Sequence, residues 1–109
     1  MPAGLGEFEQ TVLMAILRLR DTAYAVTIRK EIAACTGREP APGALYTTLD
    51  RLEKKGMVAS RLGDPTPQRG GRAKRYLTVT AKGIAAVARL QRNYARLLDG
   101  IVLPGVTHA

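Results

Sequence analysis

The spacing of apolar residues changes twice along this chain of 109 residues, and the two changes constrain the fold more than any other feature. Up to Gly56, apolar residues recur at intervals of three and four, which is typical of amphipathic helices. Over 57–62 and 75–80 they alternate with polar residues, as in half-buried strands, and the helical spacing returns at Ala81. The length suits one compact core rather than two. We predict a single, mainly helical domain with a small β-hairpin.

Three helices are predicted before the hairpin. The first covers residues 7–20, with acidic residues in its first turn and basic residues in its last, which matches the helix dipole. Thr27 is expected to cap a short second helix that Gly37 ends. Pro42 suits the first turn of a third helix, which Gly56 ends. The apolar positions of these helices include Phe8, Val12, Leu13, Ile16, Leu17, Leu19, Ile28, Ile32, Leu45, Leu49 and Leu52.

The segment between the two predicted strands has three interpretations. Its sequence, "GDPTPQRGGRAKR" from Gly63 to Arg75, is rich in glycine, proline and basic residues. Taken alone, it suits a disordered linker, an RNA-binding Gly-Arg segment or the tip of a hairpin. The strands on both sides favour the hairpin tip, although the segment is longer than a usual hairpin loop. Its prolines and glycines would stiffen one limb and permit the turn.

The last predicted helix begins at Ala81, with Thr80 as its cap, and is about twenty residues long. Its apolar residues follow nearly heptad spacing, which places a narrow seam against another helix. Such a helix is roughly 30 Å long, more than this small core needs, so we expect its far half to pack on a second copy. Folding back on the first helix is the alternative, and part of the seam is expected to do so. The seam consists of Ile84, Val87, Leu90, Tyr94, Leu97 and Ile101.

Charge is unevenly distributed along the chain. Residues 1–60 carry eight Lys or Arg and seven Asp or Glu, whereas residues 61–109 carry nine and two. A local basic excess favours a polyanionic partner, with nucleic acid first and an acidic membrane surface second. The sequence has neither a long apolar run nor the pattern of a secretory signal, so we expect a soluble cytoplasmic protein.

The sequence offers little material for catalysis or metal binding. Cys35 is the single cysteine and His108 the single histidine, which leaves no Cys/His metal set and no catalytic dyad. We find no pair of carboxylates at a suitable spacing, no P-loop and no nucleophile with a base. We therefore expect neither an enzyme nor a cofactor.

Three helices followed by a basic two-stranded ribbon form the arrangement of a winged helix-turn-helix domain, in which a helix fits the DNA major groove. The segments "GALYTTLDRLEKKG" and "GGRAKRYLTVTAKG", with "GEFEQTVLMAILRL" and "AYAVTIRKEI", resemble the N-terminal domain of the PadR family of bacterial transcriptional regulators. The resemblance covers roughly residues 6 to 100. It implies dimeric repressors whose third helix enters the major groove, whose wing touches the DNA backbone and whose C-terminal helix makes the dimer. Some members release DNA when a phenolic acid or a drug binds.

The resemblance assigns residues to two surfaces and divides the chain at 1–80, 81–101 and 102–109, a DNA-binding domain, a dimerisation helix and a tail. Ala23 stands where the family commonly has glycine, and the single helix after the wing resembles the compact subfamily. Tyr46 has two interpretations, as a core residue or as a DNA contact. The DNA-binding residues implied are Thr27, Gly43, Ala44, Tyr46, Thr47, Thr48, Arg51, Arg69, Arg72, Lys74 and Arg75. The dimer residues are Phe8, Val12, Ile84, Val87, Leu90, Tyr94, Leu97, Leu98 and Ile101.

The function expected from these features is a homodimeric DNA-binding repressor that recognises a palindrome in double-stranded DNA. A small-molecule effector would bind at the dimer centre. With five aromatic residues and no tryptophan, that centre has few stacking partners for a flat aromatic ligand. The alternative function is a winged-helix module that binds a protein or RNA through the same basic surface.

Overall fold

The computed structural model describes residues 4–63 and 73–105. Three helices, two strands and a final helix follow one another, which confirms the predicted fold class. None of these helices is long and apolar enough, over the residues described, to cross a membrane. The elements are α1 (Glu7–Leu19), a 3-10 turn (Arg20–Thr22), α2 (Ala25–Thr36), α3 (Pro42–Lys54), β1 (Val58–Leu62), β2 (Arg75–Val79) and α4 (Ala81–Leu98).

The core lies between the first three helices and one face of the hairpin. The two strands pair antiparallel, with Val58 opposite Val79 and Leu62 opposite Arg75. Val12 of α1 is 0% exposed within this core, so the expectation that it belongs to a dimer interface is wrong. Helical spacing shows which residues share a face but cannot show which neighbour covers that face. The buried apolar residues are Val12, Leu13, Ala15, Ile16, Ala23, Ile28, Ile32, Leu45, Leu49, Leu52, Val58, Leu77 and Val79.

The start of α2 differs from the prediction. The helix begins at Ala25 with Tyr24 as its N-cap, so Thr27 lies in the first turn rather than at the cap. The Thr27 hydroxyl reaches back and accepts a hydrogen bond from the Tyr24 N–H at 2.9 Å. A polar side chain at the third helical position can satisfy a donor at the helix end in this way. At the other end, Gly37 adopts a left-handed φ of 77°, which confirms the predicted stop.

The turn between α1 and α2 is bound to the hairpin. The Leu77 N–H of β2 donates a hydrogen bond to the Ala23 carbonyl at 2.8 Å, and Ala23 is fully buried there. The rings of Tyr24 and Tyr76 meet edge to face, with centroids 5.6 Å apart. Because backbone and aromatic contacts join the same two segments, the helix-turn-helix pair and the hairpin form one packed unit.

The start of α4 is packed tightly against the hairpin. Thr80 caps the helix as predicted, because its hydroxyl accepts from the Gly83 N–H at 3.2 Å. A Cβ built on Gly83 would lie 2.3 Å from the Met57 carbonyl oxygen and 2.6 Å from a Val79 methyl, so the approach requires glycine. The helix ends at Leu98, three residues before the predicted end, which places Ile101 beyond it.

Candidate nucleic-acid interface

Helix α3 has one buried face and one exposed face. Leu45, Leu49 and Leu52 recur every three or four residues and are fully or almost fully buried, which fixes the orientation of the helix. The predicted contacts Gly43, Ala44, Tyr46, Thr47 and Arg51 are all exposed. The structure therefore brings five of the six α3 residues assigned to DNA onto one accessible surface, which we call the α3 outer face.

Thr48 does not belong to the α3 outer face. Thr48 is 6% exposed and lies on the same side of the helix as Leu45 and Leu52. Thr48 was among the implied DNA-binding residues, and its burial contradicts that assignment. The sequence placed two threonines side by side, and a difference of one residue turns a side chain by about 100° around a helix.

Tyr46 lies outside the core. It is 51% exposed and lines a cleft of about 410 Å³ with Tyr24, Val26 and Lys74, between α2, α3 and the start of β2. Of the two interpretations that the sequence left open, the structure favours a surface residue over a core residue. The ring is accessible on the surface that carries the other candidate contacts.

Lys54 is a cation of α3 that the sequence reasoning missed. It is exposed and lines one shallow depression with Thr47, Asp50 and Arg51. Lys54 follows Arg51 by three residues and Thr47 by seven, which is the spacing of a shared helix face. That spacing was available in the sequence and indicates that Lys54 belongs with the α3 outer face.

Thr27 has its hydroxyl occupied inside the protomer. The oxygen accepts from the Tyr24 N–H and lies 2.7 Å and 3.0 Å from the carbonyl oxygens of Thr22 and Tyr24, to which it donates. Its polar atom therefore organises the turn before α2.

The wing cations divide into two groups. Arg69 and Arg72 lie outside the described residues. Lys74 is exposed, and its ammonium lies 4.6 Å from the centroid of the Tyr24 ring. Arg75, in contrast, is directed back onto α3, where its guanidinium forms ion pairs with Asp50 and Glu53.

Glu53 is charged at neutral pH. The Ser60 hydroxyl, 2.9 Å from one carboxylate oxygen, and the Arg75 guanidinium beside the other hold the pKa of this carboxyl below its ordinary value. Hydrogen bonds to the charged form of an acid favour that form. The carboxylate of Glu53 therefore carries a full negative charge next to the α3 outer face.

The second candidate surface lies on α4. Val87 and Leu90 are half-buried, whereas the later seam residues are exposed, with Leu97 70% accessible. The neighbouring Leu98, also a predicted dimer residue, is 54% accessible. Phe8 is half-buried against the core of its own chain. The exposed members of the predicted dimer residues are Ile84, Tyr94, Leu97, Leu98 and Ile101.

The α4 surface continues onto α1 through residues that the sequence analysis did not assign to it. The Tyr94 hydroxyl donates to the Gln10 side-chain oxygen at 3.2 Å. Gln10, Met14 and Leu17 share one face of α1 by their spacing of four and three, and both apolar side chains are exposed. We call these exposed residues, Met14 and Leu17 on α1 with Tyr94, Leu97 and Leu98 on α4, the α1–α4 apolar surface.

Three comparisons place this arrangement among known proteins. The model of the PadR-like family of transcriptional regulators matches residues 12–89. No protein among the curated sequences matches the chain. Solved structures show the same fold. RosR of H. salinarum has a TM-score of 0.71 at 21% identity, with 90% of this chain and 81% of that one covered.

Two further structures carry the family name. A PadR family regulator of Clostridium difficile R20291 has a TM-score of 0.64 at 21% identity and covers 84% of this chain and 91% of its own. One from Eggerthella lenta DSM 2243 has a TM-score of 0.65 at 25% identity, covering 86% and 81%. The family consists of regulators rather than enzymes, in agreement with the expectation from the sequence. The matched residues span the α3 outer face, the hairpin and the first half of α4, so this chain belongs to the PadR-like family of transcriptional regulators.

Proposed function

We propose that the protein is a homodimeric, sequence-specific repressor that binds a palindromic site in double-stranded DNA. The observation that carries the proposal is the α3 outer face, which presents Thr47, Arg51 and Lys54 to solvent beside the hairpin while the apolar face of the same helix is buried. Repression requires only that the bound dimer compete with the transcription machinery for its site.

The dimensions of α3 support insertion into the major groove. Its thirteen residues span about 20 Å, and an α-helix fits a groove about 12 Å wide. Gly43 and Ala44 give its first turn little bulk, and a Cβ at Gly43 would meet nothing in the protomer. The first turn can therefore approach a base edge closely, with Arg51 and Lys54 about two and three turns further along near phosphates.

The α1–α4 apolar surface supports the dimer. Exposed leucines at the end of α4 gain free energy when a second copy covers them, at about 25 cal/mol per Å² of apolar area. A two-fold dimer presents two copies of α3 to half-sites about 34 Å apart, which is why such proteins read palindromes.

A small-molecule effector that releases the DNA would bind at the dimer centre, where α1 and α4 of both copies meet. Phe8 and Tyr94 are the aromatic residues of these two helices. Aliphatic side chains such as Met14 and Leu97 dominate the exposed surface, which favours an aliphatic ligand over a flat aromatic one.

Selection from a pool of random duplexes tests the proposal. We expect enrichment of a palindrome whose half-sites are about ten base pairs apart, centre to centre. The double variant Arg51→Ala/Lys54→Ala is the matched control, because both side chains are exposed and its fold should be unchanged. Failure of the wild type to enrich any duplex sequence would contradict the proposal and favour a winged-helix module that binds a protein or RNA.

A further inference from the structure

The hairpin is fastened to α3 through one carboxylate. The Ser60 hydroxyl on β1 donates to one oxygen of Glu53 at 2.9 Å, and the Arg75 guanidinium on β2 donates to the other at 2.5 Å. Glu53 therefore receives a hydrogen bond from each strand of the wing. A second carboxylate of α3, Asp50, lies 3.4 Å from the same guanidinium.

The contacts of Arg75 lie at the loop end of the β1–β2 hairpin. Arg75 is the first residue of β2 and is opposite Leu62, the last residue of β1. The residues after Leu62 and before Arg75 form the connection between the strands. Where this connection begins, the Gly63 N–H donates a hydrogen bond to the Lys74 carbonyl oxygen. A restraint at Arg75 therefore holds the two strands to α3 at the point where they enter the connection between them.

Arg75 and Lys74 are adjacent cations in different situations. Both terminal nitrogens of Arg75 already contact carboxylates, and its side chain is one-third exposed. The ammonium of Lys74 lies over the Tyr24 ring and is absent from the ion pairs of the described residues. A phosphate can reach Lys74 without breaking an ion pair, whereas it has to compete with two carboxylates for Arg75.

We infer that Glu53 and Arg75 are positioning residues that set the angle between the wing, which is the β1–β2 hairpin, and helix α3, and that Arg75 does not itself bind a phosphate. The inference rests on the proposed DNA-binding function and replaces the direct contact that the family resemblance implies for Arg75. Glu53 is the informative member, because a carboxylate near DNA repels phosphates. Removing its charge alone should strengthen binding, whereas losing its positioning role should weaken it.

The test measures binding of Glu53→Gln, Arg75→Gln and Arg75→Lys to the duplex recovered by selection, over a series of salt concentrations. We expect Glu53→Gln and Arg75→Gln each to weaken binding about five- to tenfold, as for the loss of a partly exposed ion pair in both halves of a dimer. Arg75→Lys should retain part of the affinity, since one ammonium cannot bridge two carboxylates. The log-log salt slope should change little, whereas Lys74→Ala should reduce it by about 1.8 for the dimer.

The control separates positioning from general loss of stability. Glu31→Gln removes a similar ion pair, with Arg18, between α1 and α2 and away from the wing, so DNA affinity should be unchanged. All titrations are corrected for the active fraction. Hydrogen exchange without DNA adds a readout independent of binding: Glu53→Gln and Arg75→Gln should accelerate exchange in β1 and β2 and leave the core of α1 unchanged.

Opposite results would overturn the inference. Tighter binding by Glu53→Gln, together with a salt slope reduced by about 1.8 in Arg75→Gln, would identify Arg75 as a direct phosphate contact. If the wild type binds no duplex, the proposed function fails. The exchange data would then still decide whether Glu53 and Arg75 hold the wing.

Discussion

Helices α3 and α4 are both amphipathic, but they differ in what covers their apolar faces. The leucines of α3 are buried inside the protomer, and its exposed face is polar, with Arg51 and Lys54 beside Asp50 and Glu53. In the first half of α4, Gly83 is buried and Val87 is half-buried, whereas the second half exposes Tyr94, Leu97 and Leu98.

The difference supports the partner proposed for each surface. A polar face is stable in water and can remain exposed until a polyanion binds, whereas a row of exposed apolar residues gains free energy only by burial. The α3 outer face therefore suits DNA, and the α1–α4 apolar surface suits a second copy of the chain.

The largest predicted effect is the weakening of the dimer by charges placed on the end of α4. In Leu97→Asp/Leu98→Asp, four carboxylates would enter the interface of a dimer, which we expect to raise the dimer dissociation constant about a thousandfold, or about 4 kcal/mol. Sedimentation equilibrium measures this constant. The matched control is Arg89→Asp/Arg92→Asp, off the seam on the same helix. Equal dimer dissociation constants for the two double variants would contradict the assignment of the end of α4 to the dimer interface.

The same glycine-to-alanine change should have opposite consequences at the beginnings of the two helices. Gly83→Ala forces a methyl group against the Met57 carbonyl, and we expect a loss of about 3 kcal/mol in the free energy of unfolding. Gly43→Ala meets open space and should be neutral or slightly stabilising. Chemical denaturation measures both variants. Equal stabilities would contradict the close packing at the start of α4.

A buried ion pair joins the C-terminal end of α3 to α1. Its loss should have the next largest effect on the free energy of unfolding. Glu9 on α1 is 5% exposed, and the Lys55 ammonium lies 3.0 Å and 2.9 Å from its two oxygens. Glu9→Gln leaves Lys55 without its charged partner and should lower the free energy of unfolding by about 2 kcal/mol at pH 7. The exposed Glu7→Gln is the control and should cost little.

The contribution of Glu9 should depend on pH in a defined direction. Burial opposes ionisation, but the hydrogen bonds from Lys55 and the Gly6 N–H outweigh it and hold the pKa of Glu9 below its ordinary value. A carboxyl with a lowered pKa stabilises the fold fully above about pH 4.5 and loses that contribution as the pH falls through its folded value. The stability difference between wild type and Glu9→Gln should therefore shrink in acid. A difference independent of pH would show that the charge of Glu9 is not responsible.

The smallest effect should come from single cations on the two helices. Arg51→Ala should weaken DNA binding by about 1 kcal/mol per protomer and reduce the salt slope of the dimer by about 1.8. Arg92→Ala removes an exposed cation of α4 and should change neither quantity. Competition titrations at several salt concentrations measure both. Equal losses of DNA affinity in Arg51→Ala and Arg92→Ala would contradict the proposal that α3, and not α4, contacts the DNA.

The order of elements and the faces of the helices were predictable, because they depend on local spacing. Gly37 and Thr80 mark real helix ends for the same reason. The errors occur where tertiary contacts decide. Val12 looked available for an interface but is covered by its own core. The sequence also could not show that Arg75 pairs with Asp50 and Glu53 of α3. Local sequence does not show which residues distant along the chain lie opposite them.

The most direct test of the central claim is a titration of the selected duplex with the wild-type protein at a series of salt concentrations. If each protomer neutralises three or four phosphates, we expect two chains per duplex and a log-log salt slope of about −5 to −7. A slope near zero, or one chain per duplex, would contradict the assignment of α3 to DNA and of the α1–α4 apolar surface to a second copy.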